Sequence, residues 1–233
     1  MPTVTYPSRQ SAHALVALAA VSMATLSGLV NLQSAQDYKT QFAARDAWQR
    51  PEEVMDKLGI KQGSVVADVG CGSGYFTFHF AARVGAEGKV FAEDISSDVL
   101  EKIQARAHQE HLGQIQVIQG TPDDPYLPAG KLDSILVMNA YHEMKNYNGM
   151  LQRMYRALKP DGILGIIDHE AEPGQPRTDY QEQHRIPEAL VREDLARNGF
   201  HFLRSEPAFL SADTHKKFYF LVFEKAKSPG QPH

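Results

Sequence analysis

The sequence has little cysteine and no excess of positive charge. Its 233 residues include one cysteine, Cys71, so no disulfide can form within the chain. A zinc or iron–sulfur site built from several cysteines is excluded for the same reason. Lys and Arg number 24 against 28 Asp and Glu, which gives a formal net charge of −4. A protein that binds nucleic acid usually shows a basic stripe or patch, and we therefore expect no nucleic-acid partner.

Charged side chains are also missing from the early part of the chain, between residues 10 and 36. Residues 12–30 are almost wholly apolar or small, and a run of this length is just enough to cross a bilayer as a helix. We therefore predict a signal peptide or an N-terminal membrane anchor at residues 1–35. The alternative is a buried or unattached amphipathic helix, although the run lacks a polar face.

The remaining chain has the composition of a globular protein, with 42% hydrophobic and 22% charged residues overall. We predict one domain at residues 36–227 and a disordered tail at residues 228–233. The sequence gives no indication of the oligomeric state.

Short β-rich runs alternate with helical patterns after residue 63. Strands are predicted at residues 64–69, 89–94, 115–118, 134–138 and 163–167, and helices at residues 75–84, 98–111, 150–158 and 187–198. Asp98 and Glu101 are spaced like a capping box, and Gly113 is expected to end that helix. Such alternation is typical of an α/β fold with a parallel sheet and helices on both faces.

Two late strands complete the predicted sheet, at residues 200–204 and 217–224. The segment between them is too short for a helical crossover, so we expect these strands to pair antiparallel. The predicted fold class is therefore a doubly wound, mostly parallel seven-stranded sheet with an antiparallel C-terminal strand pair.

A glycine-rich turn, Asp68-Val69-Gly70-Cys71-Gly72-Ser73-Gly74, follows the first predicted strand. In a doubly wound sheet this turn approaches the ligand, and glycines allow close backbone contact. A dinucleotide fingerprint would need its third glycine at the position of Tyr75. Asp68 would also repel a pyrophosphate, so the turn favours a cationic ligand over an anionic one.

These residues resemble the first motif of the class I S-adenosylmethionine-dependent methyltransferases, and the resemblance runs from about Arg45 to Glu224. It implies a Rossmann-like methyltransferase fold with S-adenosyl-L-methionine as the cofactor. The turn VVADVGCGSGYFT implies that Gly70, Gly72 and Gly74 wrap the methionine part of the cofactor. Asp68 would hold its amino group, directly or through water.

The second motif, VFAEDIS, lies at the end of the second predicted strand. The resemblance implies that Asp94 accepts both ribose hydroxyl groups, with Glu93 the less favoured neighbour, and that Ile95 packs on the adenine. The third match, GTPDDPYLP, has Thr121 and Pro122 where the family often has Asp-Ala. We infer that adenine recognition shifts to Asp123 or Asp124.

The fourth match combines MNAYHEM after the fourth strand with LKPDG before the fifth. Asn139 in this segment is predicted to contact the cofactor. Tyr141 and His142 follow at the ligand edge of the sheet, and Asp168 ends the fifth strand. We predict His142 as a general base and Asp168 as its orienting or substrate-binding partner, with Tyr141 a further catalytic candidate. The alternative for His142 is a helix-start residue with a satisfied ring.

Several other residues receive less weight. His169 and His184 suggest metal ligands only weakly, because no short ligand spacing such as H-x-x-x-H links them with Asp168. We therefore predict no metal. Cys71 is expected to be a packing residue, since no adjacent His or Lys would lower its pKa. Arg45, Trp48 and Gln49 could form a lid over the cofactor, or Trp48 could simply pack a helix on the sheet.

The predicted function is methyl transfer from S-adenosylmethionine to an unidentified, small-molecule acceptor. RDAWQRPEEVMDKLGI and HRIP are loosely similar to the ubiquinone-biosynthesis and arsenite methyltransferases. The alternatives are a catalytically silent module that binds S-adenosylmethionine or a nucleoside, and an NAD-dependent oxidoreductase.

The predicted cofactor and the apolar run point to different cell compartments, because S-adenosylmethionine is made and kept in the cytoplasm. Arg9 precedes the run, whereas Lys39, Arg45 and Arg50 follow it, and the side richer in basic residues tends to stay in the cytoplasm. We therefore expect a membrane-anchored protein that faces the cytoplasm. An exported, periplasmic protein is the alternative.

Overall fold

The computed structural model describes residues 40, 42–213 and 216–226, without the side chains of residues 210–213 and 216. The chain divides into two compact units, Met1–Ala47 and Trp48–His233. In the first unit, the described residues 40 and 42–47 are helical. The predicted leader at residues 1–35, its apolar run at 12–30 and the predicted tail at 228–233 lie outside the described residues. Among those that are described, no helix is long and apolar enough to span a bilayer.

The second unit is built on one seven-stranded sheet in the order β3-β2-β1-β4-β5-β7-β6. Strands β1 to β5 run parallel, and β7 pairs antiparallel with both β5 and β6. The predicted fold class, a mostly parallel sheet with an antiparallel C-terminal strand pair, is confirmed. The strands are β1 Val65–Val69, β2 Lys89–Asp94, β3 Ile115–Gln119, β4 Leu132–Met138, β5 Leu158–His169, β6 Phe200–Asp213 and β7 Lys216–Lys225.

Helices cover the sheet, and a short 3₁₀ turn at Tyr141–Glu143 follows β4. The helices are α1 Pro51–Lys57, α2 Tyr75–Val84, α3 Ser97–Gln109, α4 Tyr147–Ala157, α5 Arg177–Glu182 and α6 Glu188–Arg197. Because side chains alternate along a strand, every second residue of the central strands joins one hydrophobic cluster with α4 and α6. The intervening residues, such as Val66, Leu136 and Val222, are also fully buried. Both faces of the sheet are therefore covered, which explains the nearly continuous apolar strands.

The predicted ends of α3 are wrong. The helix begins at Ser97 after Ser96 as the N-cap residue, which makes no side-chain capping bond, so Asp98 and Glu101 do not form a capping box. It ends at Gln109, and His111 adopts a left-handed backbone with φ of 57°. The chain therefore turns two residues before Gly113, and the glycine is not what stops the helix.

The C-terminal strands are longer than predicted, and α5 was not predicted at all. Strand β6 continues through Pro207, where a residue without an N–H is tolerated because β6 is the sheet edge. Its pairing with β7 shifts register between Glu206 and Leu210, which accommodates the proline. Helix α5 has six residues, too few to show a helical period in the sequence.

Candidate active site

The candidate site lies where the strand order reverses, at the carboxyl ends of β1 and β4. The chain moves outward from β1 to β2 and β3 on one side, and from β4 to β5 on the other. In open α/β sheets, ligands bind in the crevice at such a switch point. The glycine-rich turn follows β1, and the segment that contains His142 follows β4.

The glycine-rich turn packs tightly against the segment after β4. Gly70 has φ of 68°, and a Cβ added there would lie 2.6 Å from the Cβ of Ala140. Gly74, with φ of 75°, precedes the first residue of α2. Only glycine fits both the backbone and the space at position 70, so the turn can bring backbone N–H groups close to a ligand.

Asp68 fixes the position of α2 below this turn. It is 2% exposed, and its Oδ2 accepts a hydrogen bond of 2.7 Å from Oγ1 of Thr77. This contact ties the end of β1 to the first turn of α2. Contact of Asp68 with the cofactor amino group stays a prediction.

Asp94 lies at the end of β2 beside the same turn. Its Oδ2 accepts from the Gly72 N–H at 3.0 Å, and its Oδ1 accepts from the Ser96 N–H at 2.9 Å. Each carboxylate oxygen can accept more than one hydrogen bond, so a half-buried Asp94 is suited to a pair of hydroxyl groups. Ile95 next to it is 59% exposed, which is unusual for a large apolar side chain and provides a surface for a flat ring.

Glu93 is a second acid at this edge, and it is buried beneath the turn. It is 2% exposed, its Oε2 accepts from the Gly70 N–H at 3.3 Å, and no described atom donates to its Oε1. Burial raises the pKa of Glu93 to about 7, against the lowering effect of the Gly70 hydrogen bond. The charges of Asp94, Asp68 and Asp124 raise it further. This edge therefore holds several acids close together.

The two acids expected to recognise adenine already have protein partners. Asp123 Oδ1 accepts from Nδ2 of Asn146 at 2.8 Å, and Asp124 pairs with Arg153 at 2.8 Å. Backbone hydrogen bonds between Thr121 and Asp124 close a tight turn here. Asn139, after β4, has a left-handed backbone with φ of 54° and donates its N–H to Ile167. Cofactor contacts by Asp123, Asp124 and Asn139 stay predictions.

His142 and Asp168 form a buried pair at the ends of β4 and β5. Nδ1 of His142 lies 2.8 Å from Oδ1 of Asp168, and the His142 backbone N–H donates to Oδ2 at 3.1 Å. The side chains are 1% and 0% exposed. Because a carboxylate can only accept, Nδ1 carries the proton, and Nε2 of neutral His142 presents a lone pair.

The environment of His142 changes its proton affinity in two opposing ways. Burial lowers the pKa of the imidazole, but the hydrogen bond and charge of Asp168, together with the charge of Glu143, outweigh burial and raise the pKa above its ordinary value. The imidazole is thus suited to hold a positive charge next to Asp168, as the base predicted from the sequence would have to do.

Tyr141 lies in the core next to His142, and its catalytic role stays a prediction. It is fully buried in the main hydrophobic cluster, and its hydroxyl donates to Oδ2 of Asp194 at 3.0 Å. Arg177 and Arg197 also pair with this buried carboxylate. The hydroxyl is therefore engaged inside the core.

Two other expectations concern packing. Cys71 is buried, and burial together with the charges of Asp68, Asp94 and Glu93 raises its thiol pKa far above the ordinary value, in agreement with a packing role. The Trp48 ring lies 6.1 Å from the Phe218 ring on β7, measured between centroids. This contact favours the packing alternative for Trp48 over the lid.

Sequence reasoning gave little weight to His184 and missed Glu143, and the structure brings both to His142. The His184 ring stands edge-on to the His142 ring, with 5.4 Å between centroids. Oε1 of Glu143 lies 3.7 Å from Nε2 of His142 and 3.6 Å from Nδ1 of His184. His184 is 42 residues from His142, so no local sequence pattern could have joined them.

Comparison with known proteins agrees with this geometry. Residues 66–162 match the family described as "Methyltransferase domain". This part of the chain is therefore similar to methyltransferase domains. The match begins in β1, and it includes the glycine-rich turn, Asp94 and His142.

The proteins similar to this chain differ in their named activities. The demethylmenaquinone methyltransferase of Listeria welshimeri is 28% identical over 127 residues, which cover 54% of this chain and 53% of that protein. The match thus spans about half the length of such relatives.

A crystal structure of an S-adenosylmethionine-dependent methyltransferase from Aquifex aeolicus superposes with a TM-score of 0.63, at 23% identity, and covers 76% of this chain and 89% of that one. The [4+2]-cyclase SpnF superposes with a TM-score of 0.66, at 18% identity, over 77% and 82% of the two chains. The structural likenesses establish the fold, and the site must indicate the chemistry.

The buried Glu93 predicts a specific pH dependence of stability. Its pKa is about 7 in the folded protein against 4.5 ordinarily. Between these values the folded state keeps a proton that the unfolded chain has lost, so stability falls as pH rises. The full loss is about 3 kcal/mol. Glu93→Gln keeps an acceptor for the Gly70 N–H and should remove this loss.

Urea denaturation at pH 5, 6, 7 and 8 measures the effect. The free energy of unfolding of Glu93→Gln, relative to the unchanged protein, should rise across this range and level off above pH 7. Glu101→Gln, at an exposed position of α3, is the control and should show no such trend. Parallel pH profiles for Glu93→Gln and the unchanged protein would contradict the argument.

Proposed function

We propose that this protein is an S-adenosylmethionine-dependent methyltransferase that acts on a small-molecule acceptor. The observation that carries the proposal is that one sheet edge holds both halves of such a site. The glycine-rich turn and Asp94 form the cofactor half, and His142 with Asp168 forms the acceptor half. The close approach of Gly70 to Ala140 makes these halves adjacent.

The charge of the cofactor half supports a sulfonium ligand. Asp68, Glu93 and Asp94 lie at the ends of β1 and β2, around a turn with no basic residue. An acidic environment attracts the positive sulfur and amino group of S-adenosylmethionine. The same acids repel the pyrophosphate of a dinucleotide, so NAD is the less suitable ligand.

Methyl transfer requires alignment more than proton chemistry. The sulfonium already activates the methyl group, so the protein contributes by holding the acceptor atom in line with the methyl–sulfur bond and by excluding water. A group that takes or displaces a proton is needed when the acceptor is protonated, such as a hydroxyl or a thiol. We assign this role to Nε2 of His142, and the contact of Nδ1 with Asp168, which leaves Nε2 with a lone pair, supports the assignment.

Asp94→Ala tests the cofactor half. Loss of the two ribose hydrogen bonds should weaken S-adenosylmethionine binding by about 2–4 kcal/mol. Isothermal calorimetry measures this, and thermal unfolding checks that the fold persists. Asp98→Ala, at an exposed position in the first turn of α3, is the matched control and should bind as the unchanged protein does. Equal affinities in all three proteins would remove the assignment of Asp94.

His142→Ala tests the acceptor half. Turnover to S-adenosylhomocysteine, followed with a panel of hydroxyl, thiol and amine metabolites, should fall by about 10²–10⁴-fold, while S-adenosylmethionine affinity stays nearly unchanged. His201→Ala, an exposed histidine on β6, serves as the control. A parallel loss of cofactor affinity would assign His142 to the cofactor pocket or the fold. Cofactor binding without turnover of any metabolite would favour a silent binding module.

We also propose that residues 12–30 anchor the protein in a membrane with the methyltransferase domain on the cytoplasmic side. The apolar run and the basic residues Lys39, Arg45 and Arg50 after it support this orientation. In bacterial spheroplasts, external protease should leave the domain intact, and the isolated protein should begin at or near Met1. A mature N-terminus near Gln36, with the domain in the periplasm, would overturn the proposal.

A further inference from the structure

We propose that His142, Glu143 and His184 form a binding site for one divalent transition-metal ion of the zinc type. The ligand atoms are Nε2 of His142, Oε1 of Glu143 and Nδ1 of His184. The ion would occupy the acceptor side of the site and leave a coordination position open. Ion binding itself is independent of the proposed function, whereas its use in methyl transfer rests on that function.

Two of the three distances fit tetrahedral coordination, and the third is slightly longer. They are 3.4 Å between the two histidine nitrogens, 3.7 Å from Nε2 of His142 to the carboxylate oxygen, and 3.6 Å from that oxygen to Nδ1 of His184. Zinc bonds to nitrogen and oxygen are about 2.0–2.2 Å, and tetrahedral angles then separate the ligand atoms by about 3.3–3.6 Å. All three separations are longer than a good hydrogen bond. A single ion between the three atoms could bind all of them at once.

The partner of His142 is the one that a metal-bound histidine needs. Metal-ligating histidines donate their second ring N–H to a carboxylate or carbonyl group, which fixes the tautomer and the ring orientation. Nδ1 of His142 makes this contact with the buried Asp168 at 2.8 Å. Nε2 is thereby left with its lone pair directed away from Asp168.

The backbone holds His184 at the cluster. His184 has φ of 51°, a left-handed conformation that is uncommon for a residue other than glycine. The next residues are fixed by hydrogen bonds, from the Arg185 N–H to Tyr180 and from the Ile186 N–H to His169 at the end of β5. The side chains of His184 and Glu143 are 70% and 62% exposed, so an ion can enter from solvent.

The donor set selects the kind of ion. Many catalytic zinc sites have two imidazoles and one carboxylate as ligands, and the fourth coordination position of the ion is open. Imidazole suits zinc and its neighbours in the transition series, whereas Mg²⁺ and Ca²⁺ prefer oxygen ligands. We expected no metal because the sequence has no short ligand spacing. In the structure, the candidate ligands come together from segments that are distant in the sequence.

An ion at this position would use the Nε2 lone pair of His142, so the ion would displace the acceptor's proton and His142 would not take it up. The acceptor oxygen or sulfur binds the ion, and its proton passes to water because the ion lowers its pKa. The lone pair of that atom then forms the bond to the methyl carbon. The carbon–sulfur bond of the sulfonium breaks, its electron pair stays on sulfur, and S-adenosylhomocysteine is the product.

The test measures ion binding on the full chain. Protein stripped with a chelator is titrated with Zn²⁺ by calorimetry and with Co²⁺ by visible absorption, which is intense for a tetrahedral site. We expect one ion per chain with the tetrahedral Co²⁺ spectrum. His184→Ala and Glu143→Gln alter exposed side chains, so the fold should persist, and each should weaken binding by about 10–100-fold or more. His108→Ala and Glu182→Gln, both at exposed positions, are the matched controls and should bind as the unchanged protein does.

Two results would overturn the ion site: no binding by the unchanged protein, or unchanged affinity in both His184→Ala and Glu143→Gln. S-adenosylmethionine binding, measured in the same proteins without added ion, reports separately on the proposed function. Loss of cofactor binding in every protein would contradict that function and leave the ion result standing. Full turnover by chelator-stripped protein would overturn the use of the ion in methyl transfer.

Discussion

The carboxylate of Asp168 is fully buried at the end of β5, and the proposed acceptor side of the site depends on the hydrogen bonds that it accepts. The Nδ1–H and the backbone N–H of His142 donate to it, as does the backbone N–H of His169. A buried carboxylate is stable only with such partners. The same bonds join the ends of β4 and β5 and fix the His142 ring. Without Asp168, neither the tautomer nor the direction of Nε2 would be defined.

The proposed cofactor side follows a different electrostatic principle. Burial raises the pKa of Glu93 and of Cys71, and the charges of Asp68 and Asp94 raise both further. Each of the three acids is held by a specific donor: Thr77, Gly70 and Gly72. The protein thus tolerates a group of acids beneath the glycine-rich turn. As pH rises, the negative charges of this group destabilise the folded protein. The same charges favour a cationic ligand.

Local sequence rules succeeded for the central sheet and failed at its margins. The apolar runs of β1, β2 and β4 predicted strands because both faces of these strands are buried. The capping pattern at Asp98 and Glu101 failed, because the chain after β2 places Ser96 at the helix start. Helix α5 is too short to show a helical period in the sequence. Pro207 suggested that β6 ends before it, but a proline is tolerated because β6 is the edge strand. Tertiary position decided each of these elements.

The sequence by itself determined the alternation of strands and helices, the glycine-rich turn after β1 and the acid at the end of β2. These features repeat or adjoin one another along the chain, so spacing and residue type were enough to predict them. Only the tertiary structure decided that Tyr141 faces Asp194 in the core while its neighbour His142 faces Asp168. It also brought His184 and Glu143 to His142. That contact depends on the fixed loop after α5, which joins Ile186 to the end of β5, and a contact between segments so distant in sequence has no local pattern.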